Sequence, residues 1–199
     1  METGQPTPSP WARLTGVRVG AVIAIVLAVL FLVWLLVRGG DDNDGATGNT
    51  QTQTTGGPSL GPVAASVARL KALAVDVGHP VYWVGPKAKT TYELTRTSNG
   101  NIFVRYLPGG VPVGIRQAAF TIVGTYPVRN AMTVLRGLAK KSGEQQIPVP
   151  GGGIGVFATS DPSRVYVAYP GIDLQVEVFD PSPQRARALV ASGQVAPVR

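Results

Sequence analysis

The sequence predicts an α+β protein in which one transmembrane helix precedes an antiparallel sheet of about six to seven strands, two main helices and a short C-terminal helix. Three observations lead to this prediction. An apolar run lies near the N-terminus, a polar segment rich in Gly and Thr follows it, and the rest of the chain alternates between helical and extended patterns. The predicted parts are a cytoplasmic tail (1–16), a transmembrane helix (17–37), a flexible linker (38–61) and an extracytoplasmic α+β domain (62–199).

The first element is the apolar run from Val17 to Val37, in which Arg18, near its start, is the only charged residue. At roughly 1.5 Å per residue, a helix of this length spans about 31 Å, the thickness of the hydrocarbon core of a bilayer. The run is too long for the apolar region of an ordinary signal peptide, and no small-x-small cleavage site follows Leu36. We therefore expect a retained anchor whose first partner is the lipid bilayer.

The basic residues that flank this helix predict its orientation. Arg13 and Arg18 lie on its N-terminal side, whereas Arg38 stands alone on the other side. Because Lys and Arg resist translocation, the N-terminus is expected in the cytoplasm and the C-terminal domain outside the cell membrane.

Residues 38–61 contain a single sizeable apolar side chain, Leu60. Such a segment cannot bury enough surface to offset its ordering entropy, so we expect a flexible tether. Its root-mean-square reach is roughly 27 Å, which keeps the domain close to the membrane.

Charge and composition limit the classes of function. Three of the 18 Lys and Arg and four of the 11 Asp and Glu precede residue 62, which leaves the domain with a net charge of about +8. A basic domain beside a membrane is attracted to anionic lipid headgroups or an anionic envelope polymer, although a solvated surface is the alternative reading. The absence of Cys excludes disulfides and thiolate metal sites. With an external domain and no recognised motif, no nucleic-acid partner is expected.

The domain begins with a predicted amphipathic helix from Val63 to Val77, because apolar residues recur at spacings of three and four before Gly78. Asn130 is the predicted N-cap of a second helix that carries Met132, Leu135 and Leu138 towards the core and stops at Gly143. Predicted strands cover 81–84, 92–97, 102–107, 120–126, 154–159, 164–169 and 172–179.

A third, short helix is predicted to open at Ser182 and Pro183 and to close at Gly193. The similar order of strands after the first and second helices hints at two degenerate units, each of one helix and three strands. Helices packed on an antiparallel sheet then give the α+β class.

The dipeptide Asn99-Gly100 between two extended runs predicts a hairpin with a two-residue turn. This register would place Arg96 opposite Phe103 and would bring four side chains to one face of the hairpin. If the other face is core, these four form an exposed aromatic and basic patch that could bind a partner. If their own face is core, the two arginines must extend to its edge. The candidate patch consists of Tyr92, Arg96, Phe103 and Arg105.

Catalytic chemistry has little support in the sequence. His79 is the only histidine and follows a predicted helix end, so an exposed turn residue is the ordinary interpretation. Glu93 paired with Glu177 or Asp173 could support glycoside hydrolysis if the fold brought two acids within about 5 to 10 Å. The glycines at 109–110 and 151–153 precede extended segments, which indicates turns, with a ligand-clasping loop as the alternative. We therefore expect no catalytic residue, cofactor or metal ion.

The stretch GHPVYWVGPKAKTTYELTRTSNGNIFVRYLPGGVPVG, with the later GTYP, VYVAYPG and LQVEVFDPSP, resembles uncharacterised membrane-anchored proteins of high-GC Gram-positive bacteria. The resemblance covers about residues 78–183. It implies no particular activity or functional residue.

Together these features predict a single-pass membrane protein whose external domain is a binding or interaction module at the cell envelope. Its expected ligands are an anionic polymer, lipid headgroups or a membrane protein partner. The alternative is a hydrolase that acts on cell-wall glycans or peptides.

Overall fold

The structure, a computed structural model, describes residues 59–199, so the predicted tail, the transmembrane helix and nearly all of the linker lie outside the described residues. Within this range no helix is both long and apolar enough to cross a bilayer. The elements in chain order are β1 Leu60–Ala65, α1 Val67–Val77, β2 Tyr82–Trp83, β3 Thr90–Arg96, β4 Ile102–Pro108, β5 Ile122–Pro127, α2 Ala131–Leu138, β6 Glu144–Val149, β7 Gly153–Ala158, β8 Asp161–Ala168, β9 Leu174–Phe179, α3 Pro183–Ala191 and β10 Ala196–Pro197.

One antiparallel sheet organises the domain and confirms the predicted α+β class. Its eight strands lie in the order β1-β3-β4-β5-β9-β8-β7-β6, and β2 pairs with β10 in a separate two-stranded sheet. The meander β3-β4-β5 and the meander β6-β7-β8-β9 meet where β5 pairs with β9. The predicted number of six to seven strands was too low, because β1 and β6 do not alternate clearly between polar and apolar residues. Both are edge strands that contain a proline, which discourages pairing with another chain.

The helix ends follow local capping chemistry. The first predicted helix started too early, since residues 60–65 are extended and Ser66 caps α1 by accepting the Arg69 N–H at 3.1 Å. The predicted end at Gly78 is confirmed, with a φ of 69° that suits glycine. Ser182 and Pro183 open α3 as predicted.

The second helix is capped differently from the prediction. Asn130 is the N-cap residue of α2, but it has a φ of 54° and its side chain makes no cap hydrogen bond. Its backbone N–H instead donates to Asp173 Oδ1 at 2.8 Å. The helix ends at Leu138, before the predicted stop at Gly143.

The two faces of the sheet are packed differently. Face A carries the even-numbered side chains of β4 and β9 and is covered by α1, α3 and the small β2–β10 sheet, which together form the main core. Leu94, Val104 and Val176 are among its fully buried members. Face B, the opposite side, holds a smaller cluster in which Ala131 and Leu135 of α2 pack on β7 and β8. Because α1 and α2, the helices of the two predicted units, lie on opposite faces, the predicted helix-and-strand repeat does not extend to the helix positions.

The hairpin between β3 and β4 has a different register from the predicted one. Arg96 pairs with Ile102 and Thr95 pairs with Phe103, so the connection contains three residues, 98–100, between Thr97 and Asn101. Gly100 adopts a φ of 80°, as expected in a three-residue loop that ends in a glycine bulge. A shift of one residue moves every side chain of the partner strand to the other face, so the predicted pairing was wrong.

Candidate functional site

The structure places a cleft of about 330 Å³ between α2 and the β6–β7 hairpin on face B. Two basic side chains, an amide side chain, three apolar side chains and two glycines form its walls. The lining residues are Met132, Arg136, Ala139, Lys140, Gln146, Gly152, Gly153 and Ile154.

The glycine turn explains why one wall of the cleft is bare backbone. Residues 150–152 connect β6 to β7, and Gly151 and Gly152 have φ values of 79° and 73°, which side chains rarely adopt. A Cβ at Gly153 would come within 3.0 Å of the Tyr169 ring and 3.1 Å of the Ala168 carbonyl oxygen. These glycines form the predicted turn, and they also leave backbone open to a ligand in the cleft.

The electrostatic character of the cleft is basic. Arg136 and Lys140 are exposed, no carboxylate lines the cleft, and the neighbouring Lys141 is exposed as well. Among residues 59–199, the ion pairs involve only Arg105 and Arg164 as cations. The cleft therefore favours an anionic ligand, whose charge the two side chains can balance.

The second polar feature is the centre of face B, where Glu177 lies between two partners. Its Oε1 accepts a hydrogen bond from Arg164 Nη1 at 2.6 Å, and its Oε2 accepts one from the Tyr126 hydroxyl. Burial, followed by the charge of Glu177, raises the pKa of Tyr126 well above its ordinary value. Tyr126 therefore remains a neutral donor to the carboxylate near neutral pH.

A third polar group fastens the long β4–β5 loop, residues 109–121, to the sheet. Glu93 Oε1 accepts from Arg105 Nη1 at 2.9 Å, and Glu93 Oε2 accepts from the Gly114 N–H at 2.6 Å. Arg105 Nη2 donates to the Ile115 carbonyl oxygen at 2.5 Å. These bonds use the charged groups to hold the loop, so their observed role is structural.

The four residues of the predicted patch do not share a face. Tyr92 and Arg96 lie on face A, where Tyr92 is 8% exposed and belongs to the main core. Phe103 and Arg105 lie on face B, and the Arg105 side chain is only 14% exposed. The one-residue error in register therefore separates the predicted aromatic and basic patch into two pairs.

The carboxylates considered for hydrolysis lie apart. Glu93 and Glu177 both point from face B, but β3 and β9 are separated by β4 and β5, which places them about 14 Å apart across the sheet. Each carboxylate is bound by its own arginine, and Asp173 binds the N-terminus of α2. This spacing exceeds the 5 to 10 Å range of acid pairs in glycosidases.

His79 follows α1, and its Nδ1 lies 3.0 Å from the Pro80 carbonyl oxygen in an exposed position. Within the described part of the chain, no group of three or more His, Cys, Asp or Glu could hold a metal ion.

Sequence reasoning missed Arg136, Lys140 and Gln146 as a group. The sequence predicts a turn at the glycines opposite them, residues 151–153, with ligand binding as the alternative. The missing information was that α2 packs across β7, which brings its last turn beside the glycines.

Comparisons with protein-family models, with curated proteins and with solved structures find no match to this chain.

Proposed function

We propose that this chain is a single-pass membrane protein whose extracytoplasmic domain binds an anionic component of the cell envelope. The membrane part of the proposal depends on the apolar run Val17–Val37 and on the bias of Arg13 and Arg18 over Arg38. In this arrangement the N-terminus is cytoplasmic, and the linker keeps the domain near the membrane surface.

The observation that carries the binding role is the basic cleft between α2 and the β6–β7 hairpin. Arg136 and Lys140 flank a volume large enough for a phosphate or carboxylate group with part of its carrier. The apolar side chains Met132 and Ile154 line the same volume, so a ligand with an anionic head and an apolar or sugar body suits it. The proposed ligand is an anionic wall polymer or an anionic lipid headgroup, both of which present a phosphate or carboxylate.

The test compares these two sources with the full chain in nanodiscs of zwitterionic lipid. One series measures the binding of poly(glycerol phosphate) added in solution. A parallel series measures the binding of phosphatidylglycerol included in the nanodiscs. We expect Arg136→Ala/Lys140→Ala to weaken binding at least tenfold, because both cations at the site are lost. The matched control is Lys87→Ala/Arg116→Ala, which removes two exposed cations outside the cleft.

Equal losses in the two double variants would show that net charge alone attracts the ligand and would refute the cleft as the site. A loss confined to the phosphatidylglycerol series would identify the lipid as the source of the anion. A loss confined to the soluble polymer would identify the wall component.

The topology has its own test. Protease added to intact cells is expected to digest the domain while the cytoplasmic tail stays protected. Survival of the domain in intact cells, with digestion only after lysis, would overturn the proposed orientation.

A further inference from the structure

The centre of face B presents a second surface that the basic cleft does not use. It lies between α2, which covers β7 and β8, and the β4–β5 loop, which Arg105 and Glu93 hold over β3 and β4. We call it the aromatic platform. It consists of Phe103, Tyr126, Arg164, Tyr166, Glu177 and Phe179, brought together by the registers of β4, β5, β9 and β8.

Three of the four rings of the platform are only half-buried. Phe103, Tyr166 and Phe179 keep part of their surface accessible, and the Arg164 side chain is 34% exposed. On face A, by contrast, Val104, Val176 and Val178 of the same strands are fully buried. A cluster of partly exposed aromatic rings on an otherwise well-packed sheet is a candidate binding surface.

The platform is held in place before any ligand arrives. The Phe103 and Tyr126 rings meet edge to face with centroids 5.6 Å apart, and the Tyr126 hydroxyl donates to Glu177. Arg164 Cζ lies 5.2 Å from the centroid of the Phe179 ring while Nη1 binds Glu177. Fixed rings lose little conformational entropy on binding, which favours recognition.

The surroundings of the platform restrict its ligand class. Strands β4, β5, β9 and β8 are paired on both sides, so a peptide cannot add to them as another strand. Arg164 pairs with both Glu177 and Asp161, unlike the two uncompensated cations of the cleft, so the platform does not select an anion. Aromatic faces beside fixed polar groups suit a pyranose ring, because its C–H face stacks on the rings while its hydroxyls bond to polar groups.

We propose that the aromatic platform binds a neutral saccharide chain, with Phe103 stacking on a sugar ring and Arg164 donating to sugar hydroxyls. The site is separate from the basic cleft, so the domain has two sites of different chemistry.

The test is calorimetric titration of the full chain with chitotetraose and with cellotetraose. The zwitterionic detergent used has no sugar headgroup that could compete. We expect one of the two saccharides to bind and Phe103→Ala to weaken its binding about fivefold or more, since a stacking face is lost. Phe103→Leu keeps the apolar packing and is expected to show a similar loss, which separates stacking from folding. Circular dichroism confirms that each variant is folded.

Arg136→Ala/Lys140→Ala serves as the control that keeps the platform intact. It is expected to bind the saccharide with unchanged affinity while it loses poly(glycerol phosphate), so the two sites can fail independently. Failure of the wild-type chain to bind either saccharide would overturn the proposal. A protein that bound at Phe103 in place of a saccharide would not rescue it. Equal saccharide affinity in the wild type and both Phe103 variants would also overturn it.

Discussion

Face A and face B of the same sheet differ in how completely they are covered. Face A is covered by two helices and a small sheet. The side chains buried beneath them form one cluster, which includes Leu70 of α1 and Val190 of α3. Face B has one helix and one long loop, and its centre contains a partly buried ion pair and half-buried aromatic rings. Face A therefore supplies most of the apolar packing that stabilises the domain, whereas face B keeps polar and aromatic groups available for binding.

The largest expected effect concerns apolar packing on the two faces. Leu94→Ala on face A is expected to reduce the free energy of unfolding by about 3 kcal/mol, because a fully buried side chain leaves a cavity in the main core. The matched variant Leu135→Ala on face B, in a smaller cluster at the base of α2, is expected to cost about 2 kcal/mol. Urea unfolding of the full chain in detergent measures both, and a larger loss for Leu135→Ala would contradict the comparison.

The next effect concerns the ion pair on face B. Glu177→Ala is expected to cost about 2 kcal/mol, because it leaves Arg164 and the Tyr126 hydroxyl without their shared acceptor. The cost is below that of a fully buried pair, since Arg164 is partly exposed and can rehydrate. Adding Arg164→Met to Glu177→Ala should recover part of the loss. Arg164→Met alone completes the cycle, and a double variant whose loss equals the sum of the two single losses in urea would show that the two side chains are not coupled.

Two glycines, one on each face, lie where neighbouring side chains leave little space for a Cβ. A Cβ at Gly155 would come within 2.7 Å of Ile147 and 3.2 Å of Val190 of α3, and one at Gly124 would come within 2.8 Å of the Tyr126 ring. We expect Gly155→Ala to cost about 2 kcal/mol and Gly124→Ala about 1 kcal/mol, because the Cβ at Gly155 meets two packed side chains, whereas the Cβ at Gly124 meets one. Thermal unfolding orders the two variants, and the reverse order would show that Tyr126 is the more rigid neighbour.

The last effect develops only in alkaline solution and comes from tyrosines on both faces. Burial raises the pKa of Tyr106 on face A and of Tyr126 on face B, and it raises the pKa of Tyr169 to about 12. Above pH 10 the unfolded chain releases protons that these folded tyrosines retain, so stability falls as pH rises.

Each tyrosine that stays protonated is expected to reduce the free energy of unfolding by about 1.4 kcal/mol per pH unit above 10. Tyr106→Phe and Tyr126→Phe should each reduce this slope by the contribution of one proton, about 1.4 kcal/mol per pH unit. Urea unfolding at several pH values between 9 and 11 measures the slope, and an unchanged slope in either variant would show that its tyrosine ionises normally in the folded state.

Much of the fold could be predicted because it depends on local patterns. The alternation of Leu174, Val176 and Val178 with polar residues identified β9, and Ser182-Pro183 located the start of α3. The edge strands β1 and β6 escaped prediction, because an edge strand needs only one paired side and carries a weak pattern.

The candidate sites were harder to predict, because they depend on register and on the packing of distant segments. Asn99-Gly100 correctly indicated a hairpin, yet a three-residue loop instead of a two-residue turn reversed which residues of β4 accompany Tyr92. Arg136 and Gly152 are remote in sequence and meet only because α2 crosses β7.

By itself the sequence determined the α+β class, the helix caps at Gly78 and Ser182, and the excess of positive charge, because each depends on neighbouring residues or on composition. The tertiary structure alone decided that Glu177 meets Arg164, that Phe103 and Arg105 leave the side of Tyr92, and that the last turn of α2 faces a glycine turn. The physical reason is that side chains alternate along a strand, so the pairing of strands determines which groups share a surface.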